Sequence, residues 1–300
     1  MKILVTGGTV FVSRYTAEYF VRKGHEVFVL NRGTRTQPEG VKLIRCDRND
    51  LGDRLKQYEF DLVIDVAAYS KKDIEALLNS LGNVKDYVFI SSSAVYPERL
   101  PQPFTEEMQC GENIYWGAYG TNKAEAEAYL HSRVPNAYIL RPPYLYGPMN
   151  NVYREAFVFE CAENDLPFYV PGDGSMPLQF FHVEDMCRFI EIIIDKHPEQ
   201  KIFNVGNKET LDINGWVDMC YAVLNKTPRK IYVHGSVEQR SYFPFLNYSY
   251  KLNVTKMREL MGKTKDMPSG LRESYMWYRT NKESVRRKPL LDYINENFTK

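Results

Sequence analysis

The chain is predicted to be an α/β protein, a doubly wound parallel sheet with a smaller, discontinuous C-terminal domain, and three observations predict it. The first half alternates short apolar runs with amphipathic stretches, the rhythm of βαβ units. The first of those runs passes directly into a glycine turn, Thr6-Gly7-Gly8-Thr9, and then into a helical pattern. After about Gly147 the rhythm breaks, with Pro and Gly frequent, and it returns only over His182 to Val205.

Strands are predicted at Lys2–Val5, Glu26–Leu30, Val41–Arg45, Leu62–Val66, Tyr87–Ser91 and Ala137–Arg141. Each has the apolar or β-branched character of a buried strand, and each except the Val41 run is followed by helix-like sequence. Between the first two, Val12, Tyr15, Tyr19 and Phe20 share one face of a helix over Phe11–Lys23, which Gly24 stops. A strong amphipathic helix over His182–Asp195 and a strand at Lys201–Val205 read as a return to the first domain. The expected division is 1–148 with 180–207 for one domain, and 149–179 with 208–300 for the other.

A chain of 300 residues buries enough core to fold without disulfide or metal staples. With 39 Lys+Arg against 38 Asp+Glu, bulk charge gives no drive toward nucleic acid. The run Arg286-Arg287-Lys288 reads as a solvated stretch. Five scattered cysteines, with no Cys-x-x-Cys pair and no neighbouring His, read as reduced thiols and not as a metal site. His182 and His234 likewise have no partner motif and read as structural. The amino end reaches its glycine turn after three apolar residues, too few for a signal peptide, and no apolar run is long enough to span a bilayer. A cytoplasmic protein with no membrane partner is the expectation. Aromatic content is the one unusual feature, with 22 Tyr, and fits a lined pocket, a subunit interface or core packing equally.

The turn after the first strand has the context a dinucleotide loop needs. Gly7 permits the tight turn, the amides around Thr9, Val10 and Phe11 can face a pyrophosphate, and the helix that follows adds its dipole. Val10 and Ser13 stand where a Gly-x-x-Gly-x-x-Gly pattern would place its second and third glycines, so the branches of Val10 must point away from the pyrophosphate. The second strand ends in Asn31-Arg32-Gly33-Thr34-Arg35. With no carboxylate to repel a 2′-phosphate and two guanidiniums to bind it, the cofactor reading is NAD(P), leaning to NADP. Asp47, past the third strand, is either an acceptor for the adenine amino group or a turn residue.

Tyr119 and Lys123 lie four residues apart in helix-prone sequence and so share a face. An ammonium beside the phenol would favour the phenolate, lowering the Tyr119 pKa toward the range of a general base. Upstream, Ile90-Ser91-Ser92-Ser93-Ala94-Val95-Tyr96 puts hydroxyls at the carboxyl edge of a parallel strand, where open α/β sheets bind ligands.

Together these residues resemble the extended short-chain dehydrogenase/reductases, specifically the NAD-dependent epimerase/dehydratase family with its Rossmann-type fold. The resemblance runs over nearly the whole chain. It adds Asp61-Leu62-Val63-Ile64-Asp65-Val66-Ala67-Ala68, Glu127 four residues after Lys123, and Arg141-Pro142-Pro143-Tyr144-Leu145-Tyr146-Gly147-Pro148. It ends with Gly172-Asp173-Gly174 leading to Phe181-His182-Val183-Glu184-Asp185, and Phe203-Asn204-Val205-Gly206.

The resemblance implies Tyr119 as catalytic acid/base, Lys123 as its ribose-binding partner, and Ser92, with Ser93 the adjacent alternative, as the hydroxyl that orients the reacting oxygen. Ala67, Ala68 and the segment from Pro143 to Leu145 would line the dinucleotide, and the second domain would close over a nucleotide sugar. For that substrate Asn150, Asn151 and Arg240 are the candidates. It also implies a homodimer through first-domain helices. Ser93 and Ala94 replace the acidic pair of members that eliminate water, so 4,6-dehydration lacks its acid and base. Leu178-Gln179 replaces the Arg-Asp of many relatives, and the loop with Val10 is closer to a divergent subgroup that includes plastid RNA-binding relatives. An epimerase is the leading reading. An NADP-dependent reductase or dehydrogenase of a sugar or other carbonyl compound, and a non-catalytic dinucleotide-sensing or RNA-binding relative, are the alternatives.

Overall fold

The computed structural model describes residues 1–299. The chain opens with β1 (Lys2–Thr6), α1 (Phe11–Arg22), β2 (Glu26–Asn31), β3 (Val41–Arg45), β4 (Phe60–Asp65), α2 (Lys71–Ser80) and β5 (Val84–Ile90). It continues through α3 (Ala118–Arg133), β6 (Tyr138–Arg141), β7 (Tyr144–Tyr146), α4 (Glu155–Glu163), β8 (Phe168–Pro171), β9 (Pro177–Leu178), β10 (Phe180–His182) and α5 (Val183–Lys196). Last come β11 (Ile202–Asn204), β12 (Leu211–Asp212), α6 (Ile213–Ala222), β13 (Lys230–Val233), α7 (Thr255–Met261), α8 (Met267–Thr280) and α9 (Leu290–Asn297).

Seven strands form one parallel sheet in the order β3-β2-β1-β4-β5-β6-β11. Both faces are covered, and the period-2 geometry of a strand sorts side chains between them. Ile3 and Val5 enter a core shared with Phe20 of α1 and Ile190 of α5. Leu4, between them, enters a second core with Ile74 and Leu77 of α2 and Ala126 of α3. The sheet is therefore doubly wound, as predicted. Its order reverses at β1, which pairs β2 on one side and β4 on the other, and that switch point opens a crevice at the carboxyl ends of the strands.

One local expectation is corrected. No helix follows β2: the chain returns to β3 directly through residues 32–40. Gly33 and Gly40 there adopt left-handed conformations, at φ of 68° and 78°, and Asn31 spends its side chain on the loop. Nor does a helix follow β6, because Pro142-Pro143 carries the chain straight into β7.

The remaining strands form two-stranded sheets, β10-β7, β12-β9 and β13-β8, around α4, α6 and α8. Their aromatic core, with Trp216, Phe180, Phe243 and Phe245 almost fully buried, is continuous with the α1/α5 face of the large sheet. Much of the tyrosine and phenylalanine content is used here, in core packing. Among the described residues no helix is long and apolar enough to cross a membrane.

Candidate active site

The crevice at the strand ends is a cleft of about 750 Å³. Its floor begins where β1 stops. Gly7 and Gly8 take φ of 89° and 83°, and a Cβ on Gly8 would stand 2.4 Å from Val29 Cγ1, so no other residue fits. Val10 then caps α1 in an extended conformation without a side-chain cap bond, and no acidic residue stands in the first turn. The opening amides of α1 are thus left to whatever enters the cleft, which Val10, Phe11 and Ser13 line. Phe11 holds a φ of 35°, a strained value for a bulky side chain.

The structure divides the sequence-predicted cofactor residues. Val10, Phe11, Arg32, Ala67, Pro143 and Leu145 line the cleft. Gly7, Thr9, Asn31, Asp47 and Ala68 do not; Gly7 makes the turn beneath it, and the Ala68 carbonyl holds the Lys123 ammonium. Asn31 donates to the Gly7 carbonyl at 2.6 Å and accepts from the Gly33 amide at 2.8 Å, which makes it a brace for two turns. Asp47 is exposed and accepts from the backbone and side chain of Asn49, the turn-residue alternative.

The candidate reacting groups come from the end of β5 and from α3. After Ile90 the chain turns through a short 3₁₀ segment, Ser93–Val95, capped by the Ser92 hydroxyl, which accepts from the Ala94 amide at 3.2 Å. The helix α3 packs onto this turn at Gly120, where a Cβ would lie 2.3 Å from the Ala94 carbonyl oxygen. This contact brings Tyr119 and Ser92 together on the wall of the cleft. Tyr119 keeps 38% of its surface open to the cleft, yet protein crowds it closely. Burial raises its phenol above the ordinary value, opposed by Ser92 and by Arg154.

This corrects the expected role of Lys123 toward the phenol. Its ammonium, 2% exposed, donates to the carbonyls of Ala68 at 2.7 Å and Ile90 at 2.9 Å. The Tyr69 ring lies 5.2 Å from that ammonium and 6.2 Å from the Tyr119 ring. With the ammonium turned to strand-end carbonyls, Tyr119 is tuned by burial, Ser92, Tyr69 and Arg154 instead. Lys123 itself is lowered to about 8, by burial. Its helix is anchored by Glu127, which forms a buried ion pair with Arg141 of β6 at 2.6 Å.

The far wall is aromatic and cationic. Trp116, Tyr144 and Tyr250 line it with Arg154 and Arg286, and among the described residues no Asp or Glu lines the cleft. Arg154 lies 5.1 Å over the Tyr144 ring, and the Tyr144 hydroxyl is buried without a partner. Ser93 also lines the cleft, as Tyr250 does. Of the substrate candidates Ser93 and Asn151 reach the cleft. Asn150 is buried, donating to Glu155 at 2.8 Å and accepting from Val152, and so shapes the loop that carries its neighbour. Arg240 stands off the wall and donates to the Pro244 carbonyl.

Sequence reasoning missed Trp116, Tyr250, Arg154 and Arg286, which belong to no motif. The basic run is exposed, as expected, and Arg286 in it also borders the cleft, where its amide donates to the Asn151 carbonyl at 2.9 Å. His182 caps α5, accepting from the Glu184 amide at 3.3 Å, and is buried. It lies within 4.8 Å of the carboxylates of Glu184 and Glu273, a grouping in space that residue spacing does not reveal, and the Lys265 ammonium bridges both of those carboxylates.

Comparison with known proteins agrees with this fold. Residues 3–206 match the model of the NAD dependent epimerase/dehydratase family. The chloroplast stem-loop binding protein of 41 kDa b from Arabidopsis thaliana is 26% identical, over 91% of this chain and 78% of that protein. Among solved structures, dTDP-glucose 4,6-dehydratase from Bacillus anthracis in complex with NAD has a TM-score of 0.75 at 21% identity, covering 97% of this chain and 99% of that one. UDP-glucuronic acid 4-epimerase from Bacillus cereus in complex with UDP-glucuronic acid and NAD has a TM-score of 0.72 at 20% identity, covering 93% and 99%. With a doubly wound sheet, a glycine turn at its switch point and a family match over two thirds of its length, the chain belongs to the NAD-dependent epimerase/dehydratase family.

Proposed function

We propose that this protein is an NAD(P)-dependent sugar-nucleotide epimerase-type oxidoreductase that uses Ser92, Tyr119 and Lys123. The observation that carries the reading is the meeting of Tyr119 and Ser92 over a cleft that also exposes the uncapped start of α1.

The residues present fit a dinucleotide. The free amides of α1 suit a pyrophosphate, and the Ser91 hydroxyl, on the cleft wall, is buried without a partner. Arg32 lines the cleft beyond a strand that ends without a carboxylate, which supports NADP over NAD. NAD(P), when bound, supplies a reversible hydride sink for the carbon bearing a sugar hydroxyl. The protein moves the proton. Ser92 holds the reacting oxygen, Tyr119 takes its proton as the carbonyl forms, and the same phenol returns a proton when the hydroxyl is restored. Lys123 keeps a positive charge behind that exchange. Restoration on the opposite face gives the epimer; a single passage gives a reductase or dehydrogenase.

Arg154 and Arg286, on a wall with no carboxylate, suit the diphosphate of a nucleotide sugar, the kind of ligand carried by the Bacillus cereus epimerase. Residues 149–179 and 208–300 form the substrate domain in this reading, and 1–148 with 180–207 the cofactor domain. Elimination of water is not part of the proposal, because Ser93 and Ala94 stand where an acidic pair would be needed.

The test is calorimetric titration with NAD, NADH, NADP and NADPH, followed by a nucleotide-sugar screen in which epimers are resolved by NMR. Binding of one pair and interconversion of two sugars would support the reading; no dinucleotide binding would sink it. The resemblance to a stem-loop binding protein favours a second reading, an RNA-binding scaffold. In that case RNA would bind with an affinity that falls steeply with salt, and dinucleotides would be inert.

A further inference from the structure

A buried ion pair that the mechanism above does not use lies beneath the cleft floor. Asp65, at the end of β4, is fully buried and accepts from four residues. Thr6 Oγ1 donates at 2.6 Å, Arg48 donates through both terminal nitrogens at 3.0 and 2.7 Å, Tyr87 Oη donates at 2.8 Å, and the Ala68 amide donates at 3.2 Å. The last bond matters most. The carbonyl of that same Ala68 accepts the Lys123 ammonium at 2.7 Å, so one residue joins the carboxylate to the lysine.

We propose that Asp65, clamped by Arg48, is a positioning residue for Lys123: through Ala68 it fixes the carbonyl on which the ammonium rests, and it sets a buried negative charge behind that carbonyl. The inference rests on the reading of Lys123 as part of the reacting site. Four charged groups face the ammonium: Asp65 from β4, Glu127 from its own helix, Arg48 from the turn after β3 and Asp73 from α2. The rings of Tyr69 and Phe89 complete its surroundings, at 5.2 and 4.7 Å. Glu127 is matched by Arg141, and Asp73 is engaged in capping α2. Burial draws Lys123 down to about 8, and Asp65 leads the groups that resist; Arg48 adds to the fall. Asp65 is in turn kept ionised, because Arg48 and the bonds from Thr6 and Tyr87 outweigh its burial. Removing the Asp65 charge leaves a buried ammonium with less to hold its proton, so the midpoint must move down.

The experiment is an NMR titration of the full-length protein labelled with ¹³C at lysine Cε, the Lys123 resonance being identified by its loss in Lys123→Met. In Asp65→Asn the Lys123 midpoint is expected about one pH unit lower than in the parent. In Tyr87→Phe, which breaks a bond to the same carboxylate without changing charge, the midpoint should stay in place. An unmoved midpoint in folded Asp65→Asn, or an equal fall in Tyr87→Phe, overturns the proposal. Should Asp65→Asn fail to fold, the double change Arg48→Leu with Asp65→Leu replaces both buried charges by apolar groups. There the midpoint should still fall, because Asp65 outweighs Arg48 at Lys123, and no fall again overturns the proposal. The titration needs neither substrate nor cofactor. Absence of turnover in the parent would therefore count against the enzyme reading while leaving this result intact.

Discussion

The two ends of the cleft are built from different materials. At the α1 end the surfaces offered to a ligand are largely backbone: amides after the glycine turn, strand ends at Ala67, and a carbonyl floor supported by Thr6, Asp65 and Arg48. At the far end they are side chains, Trp116, Tyr144, Arg154, Tyr250 and Arg286, carried mostly by irregular segments or short strands. The first kind of surface follows from topology and tolerates many side chains. The second depends on which residue stands at each position, so it is where one family member can differ from another in what it binds.

The comparison can be broken at several points. The largest effect is expected where the ends meet. Tyr119→Phe removes the proton carrier, and turnover should fall by about 10²- to 10⁴-fold while calorimetry shows unchanged dinucleotide affinity. Unchanged turnover would take Tyr119 out of the mechanism. At the far end, Arg154→Ala and Arg286→Ala each delete a charged contact; nucleotide-sugar affinity should weaken by roughly 10- to 100-fold with dinucleotide affinity untouched. Weaker dinucleotide binding in these variants would erase the distinction between the ends. At the α1 end, Arg32→Ala should cost NADP about tenfold more affinity than NAD, and equal losses would mean that Arg32 does not read the 2′-phosphate.

The smallest effect lies outside the cleft, at the start of α5. His182 is pushed from its ordinary 6.5 to about 3, by burial and then by Lys265. Its folded-state value lies below its unfolded one. The stabilisation from its neutral form is therefore complete above about 6.5 and is lost as pH falls toward 3. Urea unfolding at neutral and acid pH should show a shallower acid loss in His182→Asn than in the parent; identical slopes would remove His182 from the acid response.

What could be read from the sequence follows the same division. Strand, turn and helix at residues 2–22, and the four-residue step from Tyr119 to Lys123, are local patterns with a fixed geometric meaning. Arg48 and Asp65 are 17 residues apart, and the Arg286 amide meets Asn151 across 135; no periodicity encodes such pairings. Local reading also cannot say where a polar group spends its bonds. Asn31 stands where a ribose partner would, yet it braces Gly7 and Gly33, and Lys123 is on the expected face of its helix but turned to carbonyls rather than to the phenol.

The close seat of α3 on the serine turn bears on any attempt to make this protein more heat-resistant. Judged by helix propensity, Gly120 is an obvious residue to replace, since alanine inside a helix is worth about 1 kcal/mol over glycine. Here the added methyl would meet the Ala94 carbonyl oxygen at 2.3 Å, so the helix would have to lift. A propensity-guided library would trade the spacing between Tyr119 and Ser92 for rigidity. Stabilising changes belong instead on the outward face of α3 and in the distal helices, where no working distance depends on them.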